Sequence, residues 1–443
     1  MRRSRLAARM VPRSCALMKL AAAVSLVALL ALVPGCEPTT SSGAGGDGGP
    51  GAATGNDGVA AELAAADPSL NKLLLTTKDE EIFVMDPNGT SRRSIFTFDD
   101  YVDVTGLEIV DRTLFVGTAD NSVNAIALET KKFLWDIPLG SYDSLSVATP
   151  RVVVFEGVGY AVGVPGVLFA FDLKTGKTIW TAPLSPSGET DGIYSFVQPP
   201  YVAGDRIYIG TADPFEPNYL HALDRETGER IFRKTIEHGL SGTMKRVGQR
   251  LLVPMGDLVA LDADSGAVEW RLPMEPLSYG AGSPVVSGER VFVQGAVGVA
   301  DGRLLCVSLA TGDVLWQLEA GTSDAGWFTP SVVGKVVFGV YERGSSEVHA
   351  RNGRPLAVAA DTGALIWRND DVSVETSPVL ANGRLFFHGQ RFAEGHIDDN
   401  VGLFSLDAST GDLLWLDNYT RYSRALTPTI VAENGVFRFG RGE

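Results

Sequence analysis

Cysteine is scarce in this chain: three among 443 residues, at positions 15, 36 and 306. Cys15 and Cys36 lie in or at the end of an N-terminal leader, so no disulfide framework staples the fold. Cys306, between Leu305 and Val307, reads as a small apolar residue in a strand. No C-x-x-C-H occurs, which excludes covalently attached haem of that type. The five histidines show neither H-x-x-x-H nor a zinc spacing, so no metal site is expected. His388, His396, Asp398 and Asp399 read as a solvated polar loop. A G-x-S-x-G elbow ahead of a helix is missing, and Gly280-Ala281-Gly282 precedes a strand; a serine hydrolase and a helix-capped phosphate cradle are both excluded. Basic residues are also few beyond the leader. The first 35 residues carry six of them and no acid, so without those residues the net charge falls from -15 to -21. A chain that acidic does not suit nucleic acid.

What is present begins with the leader. Arg2, Arg3, Arg5, Arg9, Arg13 and Lys19 precede an apolar run at residues 20–33. That run is shorter than the roughly 20 residues a membrane-spanning helix needs, so residues 1–35 read as an export signal. Met1 and Met18 each open a complete leader. Leu32-Val33-Pro34-Gly35-Cys36 is similar to a bacterial lipobox, which makes Cys36 the candidate lipidation site; an ordinary cleavage site with an incidental cysteine is the other reading. Residues 36–68 are rich in Gly, Ser, Ala and Thr and read as a flexible tether, leaving residues 69–443 as the folded domain. Fifty glycines, 23 prolines and 45% apolar residues suit a large core joined by many tight turns.

The domain is organised by a repeat. Phe169-Ala170-Phe171-Asp172-Leu173-Lys174-Thr175-Gly176-Lys177-Thr178-Ile179-Trp180 returns at residues 220–232, 258–270, 305–316, 356–367 and 403–415. A looser copy at 123–135 has Lys131 in place of the glycine, and the most degenerate, at 82–96, keeps Asp86 and Gly89 without a tryptophan. The copies recur at roughly 38 to 52 residues, the range of propeller blades. Each reads as a hairpin: an alternating strand, a tight turn, and a second strand ending in a large aromatic. Gly176, Gly228, Gly266, Gly312, Gly363 and Gly411 supply the positive φ that the turn requires, and Trp135, Trp180, Phe232, Trp270, Trp316, Trp367 and Trp415 fill the space between sheets. Two more strands precede each hairpin, the first opened by Ser or Thr before Pro at Thr149, Ser283, Thr329, Ser377 and Thr427. The fold expected is all-β: an eight-bladed β-propeller, seven blades being the alternative, with four-stranded antiparallel blades and C-terminal strands joining the N-terminal blade.

Alternating apolar residues, Ala or Ser, Asp, Thr-Gly and Trp together resemble the PQQ-type β-propeller repeat, from about Lys72 to the C-terminus. A lipoprotein with one such propeller resembles the BamB family of accessory lipoproteins of the outer-membrane β-barrel assembly machinery. That resemblance implies a non-catalytic, monomeric scaffold without a cofactor, lipid-anchored to the outer membrane and facing the periplasm, with the β-barrel assembly machinery as protein partner. The repeat family also includes dehydrogenases that hold pyrroloquinoline quinone and calcium on the propeller axis beside an adjacent cysteine pair, and this chain has no such pair. A propeller that binds a ligand or polysaccharide is a further alternative.

In a propeller, the loops that descend into the innermost strands share one face. Tyr142, Tyr194, Phe196, Tyr279, Trp327, Phe328, Glu375, Tyr422 and Arg424 fall in those loops and form the candidate binding face, a mixture of aromatic and polar groups suited to protein recognition. The insertion at residues 213–218 reads as a longer hairpin loop or a functional one.

Overall fold

The computed structural model describes residues 74–78, 81–85, 89, 92–97, 106–118, 121–140, 150–163, 166–184, 196–197, 199–212, 217–274, 281–296, 302–321, 328–342, 353–381, 383–393, 396–418, 429–430 and 437–440. Among these, every regular element is a β-strand. The strands form successive antiparallel units of four. In one, Val152–Phe155, Val158–Gly163, Val167–Asp172 and Thr178–Pro183 pair in that order from the inner edge outward. Lys245–Val247, Arg250–Met255, Asp257–Asp262 and Val268–Leu272 repeat it. The arrangement is compatible with eight blades.

Five of the units are built around a small residue on the third strand. Ala125, Ala170, Cys306, Ala357 and Ser405 lie opposite a second-strand aromatic on one side, Phe115, Tyr160, Phe292, Phe338 and Phe386 respectively. On the other side stands the outer-strand tryptophan: Trp135, Trp180, Trp316, Trp367 and Trp415. With no bulk between them, the two rings meet over the small residue, 5.7 Å apart in Phe115–Trp135 and 6.0 Å in Phe292–Trp316. This is why the repeat has Ala or Ser there, and Cys306 is one of the series. It is fully buried, and burial pushes its thiol up to about 11. A β-bulge follows between the third and outer strands of every unit, for example between Ala170 and Phe171 and between Cys306 and Val307.

The turns between third and outer strands are held by the side chains the repeat keeps. Asp172 Oδ1 accepts from the Thr175 backbone N–H at 2.8 Å and from its hydroxyl at 2.7 Å. Asp224 with Thr227, and Asp262 with Ser265, do the same. The chain then turns through Gly176 at φ 70°, and Lys131 adopts φ 54° at the corresponding place.

Neighbouring units are joined through those glycines. A Cβ on Gly176 would lie 2.7 Å from the Trp135 ring of the preceding unit; Gly228 faces Trp180, Gly312 faces Trp270, Gly363 faces Trp316 and Gly411 faces Trp367 in the same way. The indole N–H groups of Trp135, Trp270, Trp316 and Trp367 donate to Leu173 O, Leu309 O, Ala360 O and Ala408 O at 2.9 to 3.2 Å. Phe232, which faces Gly266, has no such donor; the Tyr208 hydroxyl donates instead to the equivalent carbonyl, Ala263 O, at 3.0 Å. The unit whose repeat ends in Phe96 and not tryptophan is followed by the one with Lys131 and not glycine.

The ends close the ring by two contacts. Leu74 and Leu75 pair with Ile430 and Thr429, so a C-terminal strand becomes the innermost strand of the N-terminal unit. Gly89 packs against Trp415, whose Nε1 would be 2.9 Å from a Cβ there. In one respect closure differs from expectation. Only the first C-terminal strand joins the N-terminal unit, because Leu74–Lys78 already holds the second position. The other, Phe437–Gly440, pairs with Gly106–Val110, the innermost strand of the next unit.

Gly363→Ala adds a Cβ both at positive φ and against Trp316, whereas Gly288, at φ 58°, has nothing within 4 Å. The expected losses are about 2–4 kcal/mol for Gly363→Ala and about 1 kcal/mol for Gly288→Ala in urea unfolding. Tyr208→Phe leaves Ala263 O without its donor and is expected to lose about 1–3 kcal/mol in the same assay.

Candidate partner-binding face

The descending loops are pinned by the Ser/Thr-Pro signals. Ser283 Oγ accepts from Thr243 N of the preceding unit at 2.9 Å, and Ser377 Oγ from Thr329 N at 3.0 Å. In return, Ser241 Oγ donates to Ala281 O at 2.6 Å and Ser331 Oγ to Pro378 O at 2.5 Å. The Ser283 and Ser377 hydroxyls, each before a proline, thus tie their strands to the preceding unit, a role beyond starting the strand. Second strands approach these loops so closely that only glycine fits. A Cβ on Gly117 would lie 1.6 Å from Pro150 O, and one on Gly389 would lie 1.8 Å from Ser373 O. Two loop segments also pair with the second strand of their own unit: Phe196–Val197 with Ala212 and Thr211, and Val372–Val374 with Arg391 to Gly389. The face therefore stands on fixed backbone.

Three of the nine residues assigned to this face fall among those described. Phe196 is paired opposite Ala212. Glu375 is half-buried, and its N–H donates to His388 O at 2.8 Å. Phe328 leaves the set: it is 7% exposed and packs in a core with Val340, Val374 and Phe387, because the loop turns it back between units. Tyr142, Tyr194, Tyr279, Trp327, Tyr422 and Arg424, with most of the 213–218 insertion, lie outside the described residues. The hydrogen bond from Thr329 N to Ser377 Oγ brings two adjacent descending loops together.

Polar side chains lie buried just below the face. The Gln294 side chain accepts from Val340 N at 3.2 Å and donates to Val340 O, clamping one unit to the next. His388 occupies the same register position two units on, within Arg384–Ala393, and is fully buried. The expectation of a solvated loop there fails for His388, because the hairpin extends as strand past the position at which the sequence was read to turn. His221 is likewise buried, its Nε2 3.2 Å from Thr211 Oγ1. Burial pulls both imidazoles down to about 3, with Arg230 and Arg233 adding to the effect at His221. Sequence reading missed Gln294 and His221; a polar residue inside an otherwise apolar strand was the available signal.

Four-stranded antiparallel units, joined where an aromatic ring lies on a turn glycine of the next unit, define a β-propeller of PQQ-type repeats. The family model described as outer membrane protein assembly factor BamB matches residues 35–214, 216–355 and 329–443, and the chain belongs to that family. It is 25% identical over 335 residues to the outer membrane protein assembly factor BamB of Yersinia pestis, covering 70% of this chain and 76% of that protein. The 1-butanol dehydrogenase (quinone) of Thauera butanivorans is 29% identical over 144 residues, or 28% of this chain and 22% of that enzyme. Among solved structures, BamB from Moraxella catarrhalis superposes with a TM-score of 0.52 at 18% identity, covering 75% of this chain and 92% of its own. At that identity the likeness establishes the fold.

Among the described residues, no group of three or more His, Cys, Asp or Glu side chains is placed to hold a metal ion.

Stability should fall with acid in two windows. His221 and His388 are neutral in the fold and titrate near 6.5 when unfolded, so the unfolded chain binds more protons between about pH 6.5 and 3. Their stabilisation is complete above that window and is lost as pH falls through it, by about 1.4 kcal/mol per histidine per pH unit. Asp172, Asp224 and Asp262 are held below the usual carboxylate range, chiefly by the Thr175 hydroxyl, the Thr227 backbone N–H and the Ser265 hydroxyl. Their contribution is present above about pH 4 and is lost below it. The expected result is a urea midpoint that drops between about pH 7.5 and pH 5, less so in His388→Gln.

Proposed function

We propose that the chain is a non-catalytic, lipid-anchored scaffold of the cell envelope that binds protein partners on the descending-loop face and serves outer-membrane barrel assembly. The observation that carries this is coverage. The similarity to the Yersinia pestis assembly factor spans 335 residues and 76% of that protein, whereas the similarity to the Thauera butanivorans quinone enzyme spans 144 residues, about the length of three repeats, and 22% of that enzyme. A likeness confined to a few repeats reflects the shared repeat and not the enzyme's site. The described backbone beneath the face suits the role, since hydroxyl and glycine contacts hold it in place. The leader and Cys36 supply the anchor, on the outer membrane facing the periplasm; two or more acyl chains hold a protein there stably.

The test is to isolate the full-length chain from its native membrane after mild crosslinking, identify what accompanies it, and record its absorption spectrum. Barrel-assembly proteins without quinone absorbance are expected. A bound quinone would overturn the non-catalytic reading, and recovery of a polysaccharide or small ligand alone would replace it with a ligand-binding propeller. Cys36→Ser is expected to release the chain from membranes into the soluble fraction.

A further inference from the structure

Phe437–Gly440 is a fifth strand in a unit that needs four. Closure does not require it, because Thr429 and Ile430 already complete the N-terminal unit and Gly89 already receives Trp415. In the other units, among the described residues, the innermost strand is the last of its sheet on the channel side; only Gly106–Val110 has a further partner there. The register is Phe437 opposite Ile109, Arg438 opposite Glu108, Phe439 opposite Leu107 and Gly440 opposite Gly106. Glu108 and Ile109 are 2% and 1% exposed. A carboxylate so buried on an otherwise apolar strand is costly unless an opposite charge lies beside it, and the register puts Arg438 directly across.

We propose that the inner edge of Gly106–Val110 is a strand-acceptor site, held in this structure by the chain's own C-terminal strand, and that it takes in exchange an extended aromatic-basic-aromatic segment of a protein partner. Backbone hydrogen bonding along the edge supplies affinity, and the Leu107, Glu108 and Ile109 positions select the pattern. Four residue pairs make a short ladder, which a competing strand can displace without opening the ring. The proposal rests on the protein-binding reading, but its test is separate: native partners may still be recovered through the loop face if strand exchange fails.

The probe is a labelled synthetic peptide with the sequence of residues 434–443, its binding followed by fluorescence anisotropy to three full-length chains. These are the wild type, a chain with a weakened resident strand (Phe437→Ser with Phe439→Ser), and a chain locked by a disulfide between Leu107→Cys and Phe439→Cys. Affinity is expected to fall in that order: weakened, wild type, locked. The weakened and oxidised locked chains should differ by more than roughly tenfold, and reduction should restore binding to the locked chain. Glu108→Gln in the weakened chain should lose roughly tenfold. Equal affinity for all three chains, no binding to the weakened chain, or equal binding of a scrambled peptide would overturn the proposal. So would failure of the disulfide to form, which would refute the register, or failure of the weakened chain to fold, which would show that closure needs the strand.

Discussion

The structure depends on one contact made repeatedly: an outer-strand aromatic ring laid on the turn glycine of the next unit. The contact asks three things of the sequence at once. The turn residue must have no side chain, the third-strand residue behind the ring must be small, and the ring must have somewhere to send its N–H. Gly312 under Trp270, Cys306 behind Trp316 and Ala360 O receiving the Trp316 indole show all three within adjacent units. Where the ring changes, its partners change too. Phe232 brings in the Tyr208 hydroxyl, and the unit ending in Phe96 is followed by Lys131.

This arrangement separates the contacts that join the units from those beneath the candidate face. The ring–glycine contacts lie where the outer strands meet the turns, at the far end of the units from the descending loops. The loops are tied by a different set: hydroxyls before proline, glycines beneath carbonyls, and the Gln294 clamp on Val340. A face held in this way can vary its exposed side chains with little effect on the closure of the ring, which accords with a scaffold whose partner contacts sit on loops. The innermost edge of the second unit is a separate feature, the one inner edge among the described residues to carry an additional strand.

Much of the fold was legible in the residues because the repeat recurs. One copy of Asp, Thr-Gly and Trp means little, but successive copies at blade spacing specify a hairpin, a turn of positive φ and an interleaved aromatic. The candidate face was less legible. Phe328 looks the same in sequence whether it lies on a loop surface or turns inward, and the structure buries it against Val374. His388 read as part of a polar loop, yet the strand continues through it and it is fully buried.

Local propensity, spacing and composition were enough to specify the repeat, the all-β class, the need for glycine at the turns and the acidic character of the chain. The folded chain alone shows which ring meets which glycine, why Cys306 must be small, that the Ser283 and Ser377 hydroxyls tie one unit to the next, and where the final strand goes. Those outcomes join residues about 40 to more than 300 positions apart, from Trp135 with Leu173 O to Gly89 with Trp415 and Gly106 with Gly440. The physical reason is that such contacts are set by which surfaces remain to be filled once the units have closed into a ring, and no local pattern records that.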